Sequence, residues 1–78
     1  GIDMATVSLS TGVASGNTGA LPSDQVFYVA TGKVLFSTDA GTTYVPFDAG
    51  EKVVFSSGLT VHYVNGHSGA SEFRHMAL

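Results

Sequence analysis

The sequence predicts an all-β protein, a small antiparallel sandwich or barrel of about seven short strands. Apolar residues come in short bursts rich in valine, phenylalanine and tyrosine, and glycine, serine, aspartate and asparagine separate the bursts. This pattern is typical of strands and turns, and no helical repeat interrupts it. The chain has 78 residues and no cysteine, so it forms one domain at most, without a disulfide or a cysteine-based zinc site.

The strands are assigned to the apolar bursts in chain order. They are predicted at residues 5–10, 25–30, 33–37, 42–47, 51–56, 59–64 and 71–77. Links such as Thr31-Gly32 are short, and Asn65-Gly66 is the strongest two-residue turn signal in the chain. Because short links favour antiparallel neighbours, we expect a hairpin meander over residues 25–64.

Two stretches fall outside these strands. Residues 11–23 (TGVASGNTGALPS) are rich in glycine and serine and lack periodicity, which indicates a surface loop or an arm that reaches a neighbouring subunit. Residues 1–3 precede Met4 and are interpreted as a cloning remnant. A single β domain is therefore predicted over residues 4–78.

The composition favours self-association. Charged residues make up 12% of the chain and hydrophobic residues 44%, with a mean hydropathy of +0.26. A soluble domain typically carries about 25% charged residues, which cover its surface. A surface covered mostly by serine, threonine and glycine suits contact with other protein or with uncharged polar ligands such as sugars.

Several predicted strands are apolar on both faces, among them residues 26–29, 34–36 and 53–55. A strand with one face in water alternates apolar and polar residues, so these runs indicate that the second face is also covered. We expect a homo-oligomer, with a trimer favoured, and the alternative is a small closed barrel that exposes a few aromatic residues. The candidate interface residues are Val26, Tyr28, Phe36, Phe55 and Tyr63.

Several function classes are not expected. Lys33, Lys52 and Arg74 are the fixed cations and the net charge is −3, which disfavours nucleic-acid binding. No apolar run is long enough for a membrane helix, and no secretion signal is seen, so localisation is left open. The chain lacks a G-x-S-x-G nucleophile motif and a phosphate-binding loop, so neither an enzyme nor a cofactor is predicted.

The segment 37–44 reads STDAGTTY. An aspartate in a turn can accept hydrogen bonds from backbone N–H groups, and Gly41 can adopt a left-handed conformation. The segment resembles the Asp-box, S/T-x-D-x-G-x-T followed by an aromatic residue, which occurs in sialidases and in unrelated β folds. A sialidase propeller is excluded by the length of the chain. The predicted structural turn residues are Asp39, Gly41, Thr43, Tyr44, Asn65 and Gly66.

The histidines have no spacing typical of a metal site. His62 and His67 flank the Asn65-Gly66 pair, and His75 lies on the last predicted strand. Ordinary interface or surface histidines are expected, and no metal is predicted. A ring of histidines around an axial ion in a symmetric assembly is the alternative.

The overall style of the chain is similar to small β-rich phage virion proteins, meaning capsid decoration and tail accessory subunits. This resemblance rests on the short, cysteine-free, charge-poor sequence, its loose segment at 11–23 and its final strand. It implies a non-enzymatic assembly protein whose partners are its own copies and a capsid or tail protein, located in the virion. The alternative is a small oligomeric lectin-like module that binds glycans through the turn at 37–44 and its tyrosines.

Overall fold

A computed structural model describes residues 4–12 and 14–78, which form two four-stranded sheets. The all-β class predicted from the sequence is confirmed. The eight strands are β1 (Ala5–Leu9), β2 (Ser15–Ala20), β3 (Gln25–Thr31), β4 (Lys33–Ser37), β5 (Val45–Asp48), β6 (Lys52–Phe55), β7 (Thr60–Asn65) and β8 (Ser71–Ala77). Residues 1–3, interpreted as a cloning remnant, lie outside the described residues.

The strands are distributed between two antiparallel sheets. Sheet A has the order β1-β8-β3-β6 and sheet B the order β2-β7-β4-β5. The predicted hairpin meander over residues 25–64 is therefore wrong, because in the described chain only β4 and β5 of that stretch are paired sequence neighbours. A short link can carry the chain across the ~10 Å gap between two packed sheets as readily as it can close a hairpin.

Gly32 shows how such a link works. It has a φ of 75°, a left-handed conformation that costs glycine little, and it joins β3 of sheet A to β4 of sheet B. A Cβ at this position would collide with the Ser71 hydroxyl. The backbone N–H of Lys33, the next residue, donates a hydrogen bond of 3.1 Å to that hydroxyl. The corner is thus fixed both by backbone conformation and by contact with β8.

The predicted loop at 11–23 contains β2, which the sequence analysis missed. Its sequence, SGNTGA, has no large apolar residue, so it carries no strand periodicity. The segment is held by antiparallel pairing with β7, and its register shifts between Asn17 and Ala20. There the hydroxyl of Thr18 accepts a hydrogen bond of 3.1 Å from the N–H of Val61, which replaces a ladder bond at the irregularity.

Two further boundaries differ from the prediction. The strand predicted at 42–47 begins at Val45, because the turn before it extends through Tyr44. Asn65 and Gly66 do not form a two-residue hairpin turn. Asn65 ends β7 in sheet B, and residues 66–70 then carry the chain across to β8 in sheet A.

The core lies between the two sheets. Phe27 and Phe73 of sheet A pack against Phe36 of sheet B, with ring centroids 5.6 and 5.0 Å from Phe36 in edge-to-face arrangements. Such aromatic pairs add to the hydrophobic stabilisation that burial provides. The remaining buried apolar side chains complete the core: Leu9, Leu21, Val29, Val34 and Val61.

Asn65 joins four segments at one end of the sandwich. Its Nδ2 donates hydrogen bonds of 2.9 Å to the carbonyl oxygens of Ser10 and Gly69. Its Oδ1 accepts hydrogen bonds from the N–H of His67 at 2.9 Å and from the Ser71 hydroxyl at 2.7 Å. The side-chain amide is buried and uses its full hydrogen-bonding capacity.

Replacing Asn65 with alanine is expected to destabilise the protein by roughly 2–4 kcal/mol, because buried partners would be left unsatisfied. Asn17→Ala is the matched control, since Asn17 is exposed and accepts a single local hydrogen bond from the N–H of Gly19. The control should stay within about 1 kcal/mol of wild type. Urea unfolding at fixed protein concentration measures both, and equal losses would contradict the special role of Asn65.

Candidate functional site

The segment 37–44 forms a tightly bonded turn between β4 and β5. The carboxylate of Asp39 accepts hydrogen bonds through Oδ1 from the Ser37 hydroxyl at 2.6 Å and from the N–H of Thr43 at 2.8 Å. The Ser37 hydroxyl in turn accepts from the N–H of Gly41 at 3.0 Å. Ala40 and Gly41 have φ angles of 60° and 85°, so the chain reverses through two left-handed residues.

Tyr44 ends this turn and packs against it. A Cβ added to Gly41 would lie 3.1 Å from the Tyr44 hydroxyl, so the ring lies close to the glycine backbone. The Tyr44 side chain is 38% exposed. The four residues predicted for this turn thus lie together, and their contacts are those of a structural turn.

A pocket of about 290 Å³ opens next to the turn. It exists because β5 and β6 are the edge strands of opposite sheets and do not pair with each other, which leaves the gap between the sheets open on this side. The lining residues are Phe36, Thr38, Asp39, Thr43, Val45, Phe47, Val53 and Phe55. The walls are therefore apolar and largely aromatic, with hydroxyl groups and one carboxylate contributed by the turn.

Asp39 is the charged group of this pocket. The hydrogen bond from Ser37, followed by that from the Thr43 backbone, holds the pKa of the Asp39 carboxyl below its usual value. The group is therefore a carboxylate at neutral pH. Of the described residues that line the pocket, none is cationic.

The outer face of sheet A carries an apolar row. Val26 on β3 pairs with Val54 on β6 and with Met76 on β8. Met4 extends the row, because it directly precedes Ala5, the partner of His75. Val54 is 56% exposed and Met4 42% exposed, whereas Val26 and Met76 are half-buried. These four residues, called the apolar row below, lie next to one another across sheet A.

A polar row lies beside the apolar row on the same face. Tyr28 pairs with Lys52 on one side and with Arg74 on the other. The guanidinium group of Arg74 donates hydrogen bonds to the Tyr28 hydroxyl at 3.1 Å and to the Glu72 carboxylate at 2.9 Å. The Tyr28 hydrogen bond, and then the Glu72 carboxylate, raise the pKa of Arg74, so this group stays cationic.

The candidate interface residues do not share one surface. Val26 and Tyr28 lie on the outer face of sheet A, as an interface would require. Phe36 is 2% exposed in the core, so its assignment to an interface is wrong. Phe55 and Tyr63 pack inward against the core, and the Tyr63 ring lies 4.9 Å from that of Phe73.

The three tyrosines are likewise separated. Tyr28 lies on the outer face of sheet A, Tyr44 in the turn and Tyr63 on β7 of sheet B. They do not form a common platform for stacking a sugar. The pocket residues, by contrast, were not identified as a site from the sequence, because their proximity depends on how β4, β5 and β6 are placed in the two sheets.

The histidines are distributed over different parts of the fold. His62 lies on β7, His67 in the 66–70 link and His75 on β8. Within residues 4–12 and 14–78, no group of three histidine, cysteine, aspartate or glutamate side chains is placed to hold a metal ion. The described part of the chain also contains no helix that could cross a membrane.

His75 belongs to the core rather than to a site. Its ring stacks on Phe27 with centroids 4.5 Å apart and an angle of 9° between the planes. Its Nδ1 lies 2.7 Å from Oε1 of Gln25 and donates to it, since a carboxamide oxygen only accepts. Burial lowers the pKa of His75 below its ordinary value of 6.5, because the charged ring would lose hydration.

Comparison with known proteins identifies the architecture. No protein-family model matches the chain, and neither does any curated protein sequence. A Cupin_2 domain of an XRE family transcriptional regulator from Enterobacter cloacae is similar over 99% of this chain and 81% of that one, with a TM-score of 0.81 and 16% identity. A de novo designed double-stranded β-helix is similar over 95% of this chain and 96% of that one, with a TM-score of 0.72 and 20% identity.

The chain has the cupin, or double-stranded β-helix, fold. A third similar structure is that of Drosophila melanogaster CENP-C bound to CAL1, which matches 92% of this chain and 58% of that one at a TM-score of 0.70 and 9% identity. At these identities the likeness shows the fold alone. The pocket and the two rows on sheet A are therefore interpreted from this chain's own residues.

The depressed pKa of His75 predicts a loss of stability in mild acid. The unfolded chain binds this proton near pH 6.5 and the folded chain binds it only at lower pH. The stabilisation is therefore complete above pH 6.5 and is lost as the pH falls through the lowered pKa of the folded state. Urea unfolding between pH 7.5 and about 5 should show this decline in wild type.

His75→Phe preserves an aromatic ring on Phe27 and should remove this part of the pH dependence. His67→Gln is the control, since it alters an exposed loop histidine, leaves His75 in place and should retain the decline. An unchanged slope in His75→Phe would contradict the assignment.

Proposed function

We propose that this protein is a non-enzymatic structural protein that associates with copies of itself through the outer face of sheet A. The observation that supports the proposal most directly is the apolar row. It places methionine and valine side chains side by side across sheet A, with Val54 and Met4 exposed and Val26 and Met76 half-buried, so a monomer would leave apolar surface in water.

The arrangement of the two rows suits a contact between identical faces. A two-fold axis parallel to the strands, between β8 and β3, would place one apolar row on the other. Because Tyr28 and Arg74 are neighbours across β3 and β8, the same axis would set the Arg74 of each copy against the Tyr28 of the other. Like charges would then not be opposed, and burial of the apolar row would supply the association energy.

Two other observations support an assembly role. The chain carries few charged residues, as expected for a surface that is covered by protein. In addition, CENP-C, a protein with a similar fold, was solved in complex with another protein, CAL1. A two-fold contact of this kind closes into a dimer, so the mass in solution distinguishes it from the trimer that the sequence analysis favours.

A narrower proposal is that the assembly is part of a phage particle, as a decoration or tail accessory subunit. Its support is the composition and style of the chain. Cosedimentation with purified capsids or tails tests it, and absence of cosedimentation at micromolar concentration would contradict it.

The lectin-like alternative predicts binding on a glycan array instead, and the separation of the three tyrosines makes it the weaker proposal.

Light scattering on a sizing column across a dilution series measures self-association. We expect a mass that is a multiple of 8.0 kDa for the wild type. Val54→Lys should weaken association by about tenfold or more, because it places a charge in the apolar row. A wild-type protein that stays at 8.0 kDa at all concentrations would contradict the proposal.

Leu59→Lys is the matched control for this experiment. Leu59 is also an exposed apolar residue, at 37%, but it precedes β7 and lies outside sheet A. It should leave the mass unchanged. An equal effect of both lysine variants would indicate a general effect of added charge rather than an interface on sheet A.

A further inference from the structure

The pocket beside the 37–44 turn is separate from the face proposed for self-association. β6 forms part of both, but its side chains alternate: Val54 lies on the outer face of sheet A, whereas Val53 and Phe55 line the pocket. With a volume of about 290 Å³, the pocket lies at the lower end of the range for small-molecule sites. It therefore fits a ligand smaller than a typical drug.

The walls of the pocket favour a ligand with an apolar or aromatic body. Three of the lining residues are phenylalanines, and the ring of Phe36 lies 5.5 Å from that of Phe47 and 5.8 Å from that of Phe55. Grouped aromatic rings bury apolar groups and also attract cations to their faces. A wall of this kind disfavours a sugar, whose many hydroxyl groups would lack hydrogen-bond partners.

The charge in the pocket favours a ligand of positive charge. Asp39 is held in position by the two hydrogen bonds that its Oδ1 accepts, and its Oδ2 takes no part in those bonds. The fixed cations of the chain are placed elsewhere. Lys33 lies 3.7 Å from Asp48, Arg74 lies 2.9 Å from Glu72, and Lys52 lies beside Tyr28 in the polar row.

We propose that this pocket binds a small organic ammonium ion, with its apolar group among the phenylalanine rings and its ammonium group against Asp39. The carboxylate and the faces of the aromatic rings attract the cation together, and the valine side chains bury the apolar group. The hydroxyl groups of Thr38 and Thr43 provide acceptors for further N–H groups of the ligand.

Binding is tested with benzylammonium chloride as the probe, titrated into ¹⁵N-labelled protein and followed by NMR amide shifts. We expect saturable shifts at the amides of the 37–44 turn, β5 and β6. Benzyl alcohol, the neutral analogue, should bind at least about tenfold more weakly than benzylammonium, and benzoate should not bind. Because the ammonium–carboxylate contact lies at an exposed rim, added salt should weaken benzylammonium binding.

Two variants separate the charge from the shape of the pocket. Asp39→Asn keeps an oxygen for the turn hydrogen bonds and should weaken benzylammonium binding by about tenfold or more. Asp24→Asn is the matched control, because Asp24 is an exposed carboxylate that accepts a turn hydrogen bond, from the N–H of Ser57 at 2.8 Å, but does not line the pocket. Asp24→Asn should bind as wild type does.

Val45→Lys is the second test, and it still tests ammonium binding in the pocket if Asp39→Asn does not fold. Val45 lines the pocket and is 51% exposed, so a lysine can be accommodated there and should repel the ammonium ion. The proposal would be overturned by absence of benzylammonium binding, by equal binding of benzyl alcohol or benzoate, by shifts confined to other parts of the chain, or by full affinity in Val45→Lys. Self-association plays no part in these outcomes, so they are independent of the proposed function.

Discussion

The side chain of Asn65 holds together one end of the sandwich. Most of the links that carry the chain from one sheet to the other lie at this end. Asn65 bonds the end of β1 through Ser10, its own 66–70 link through His67 and Gly69, and the start of β8 through Ser71. Ser71 extends the network to the corner between β3 and β4, where it accepts from the N–H of Lys33. A buried amide with all its hydrogen bonds satisfied tolerates few other arrangements, so the network specifies how the two sheets are joined.

The β-strands were predictable wherever they carry large apolar residues. The phenylalanines and valines of β3, β4, β6 and β8 identify those strands, because burial between two sheets requires such side chains. β2 could not be found in this way, since SGNTGA owes its place to backbone pairing and to the Thr18 hydroxyl. The order in which the strands are connected could not be predicted either. A two-residue link can close a hairpin, and it can also carry the chain from one sheet to the other.

The candidate site was predictable only in part, because its turn is local in sequence whereas its pocket is formed by strands of both sheets. The hydrogen bonds around Asp39 are local, so the sequence 37–44 is sufficient to indicate the turn. The pocket depends on Phe36, Phe47 and Phe55, which are near in sequence but reach one cavity from three strands in two sheets. Phe36 was assigned to an interface because a run of apolar residues does not reveal which of them faces the core. β6 shows the two alternatives side by side, with Val53 turned to the pocket and Val54 to the outer face.

The pairing of β1 with β8 has a consequence for how the protein is made. Ala5 lies opposite His75, which is distant from it in sequence, and β8 also separates β1 from β3. Sheet A therefore lacks its second strand until β8 has been synthesised and has left the ribosome. Closing so long a segment of chain costs entropy before any pairing energy is gained, which slows folding relative to a protein built from local contacts. Nascent chains would present the unpaired edges of β1 and β3 during this interval, when neighbouring copies on the same messenger are close by.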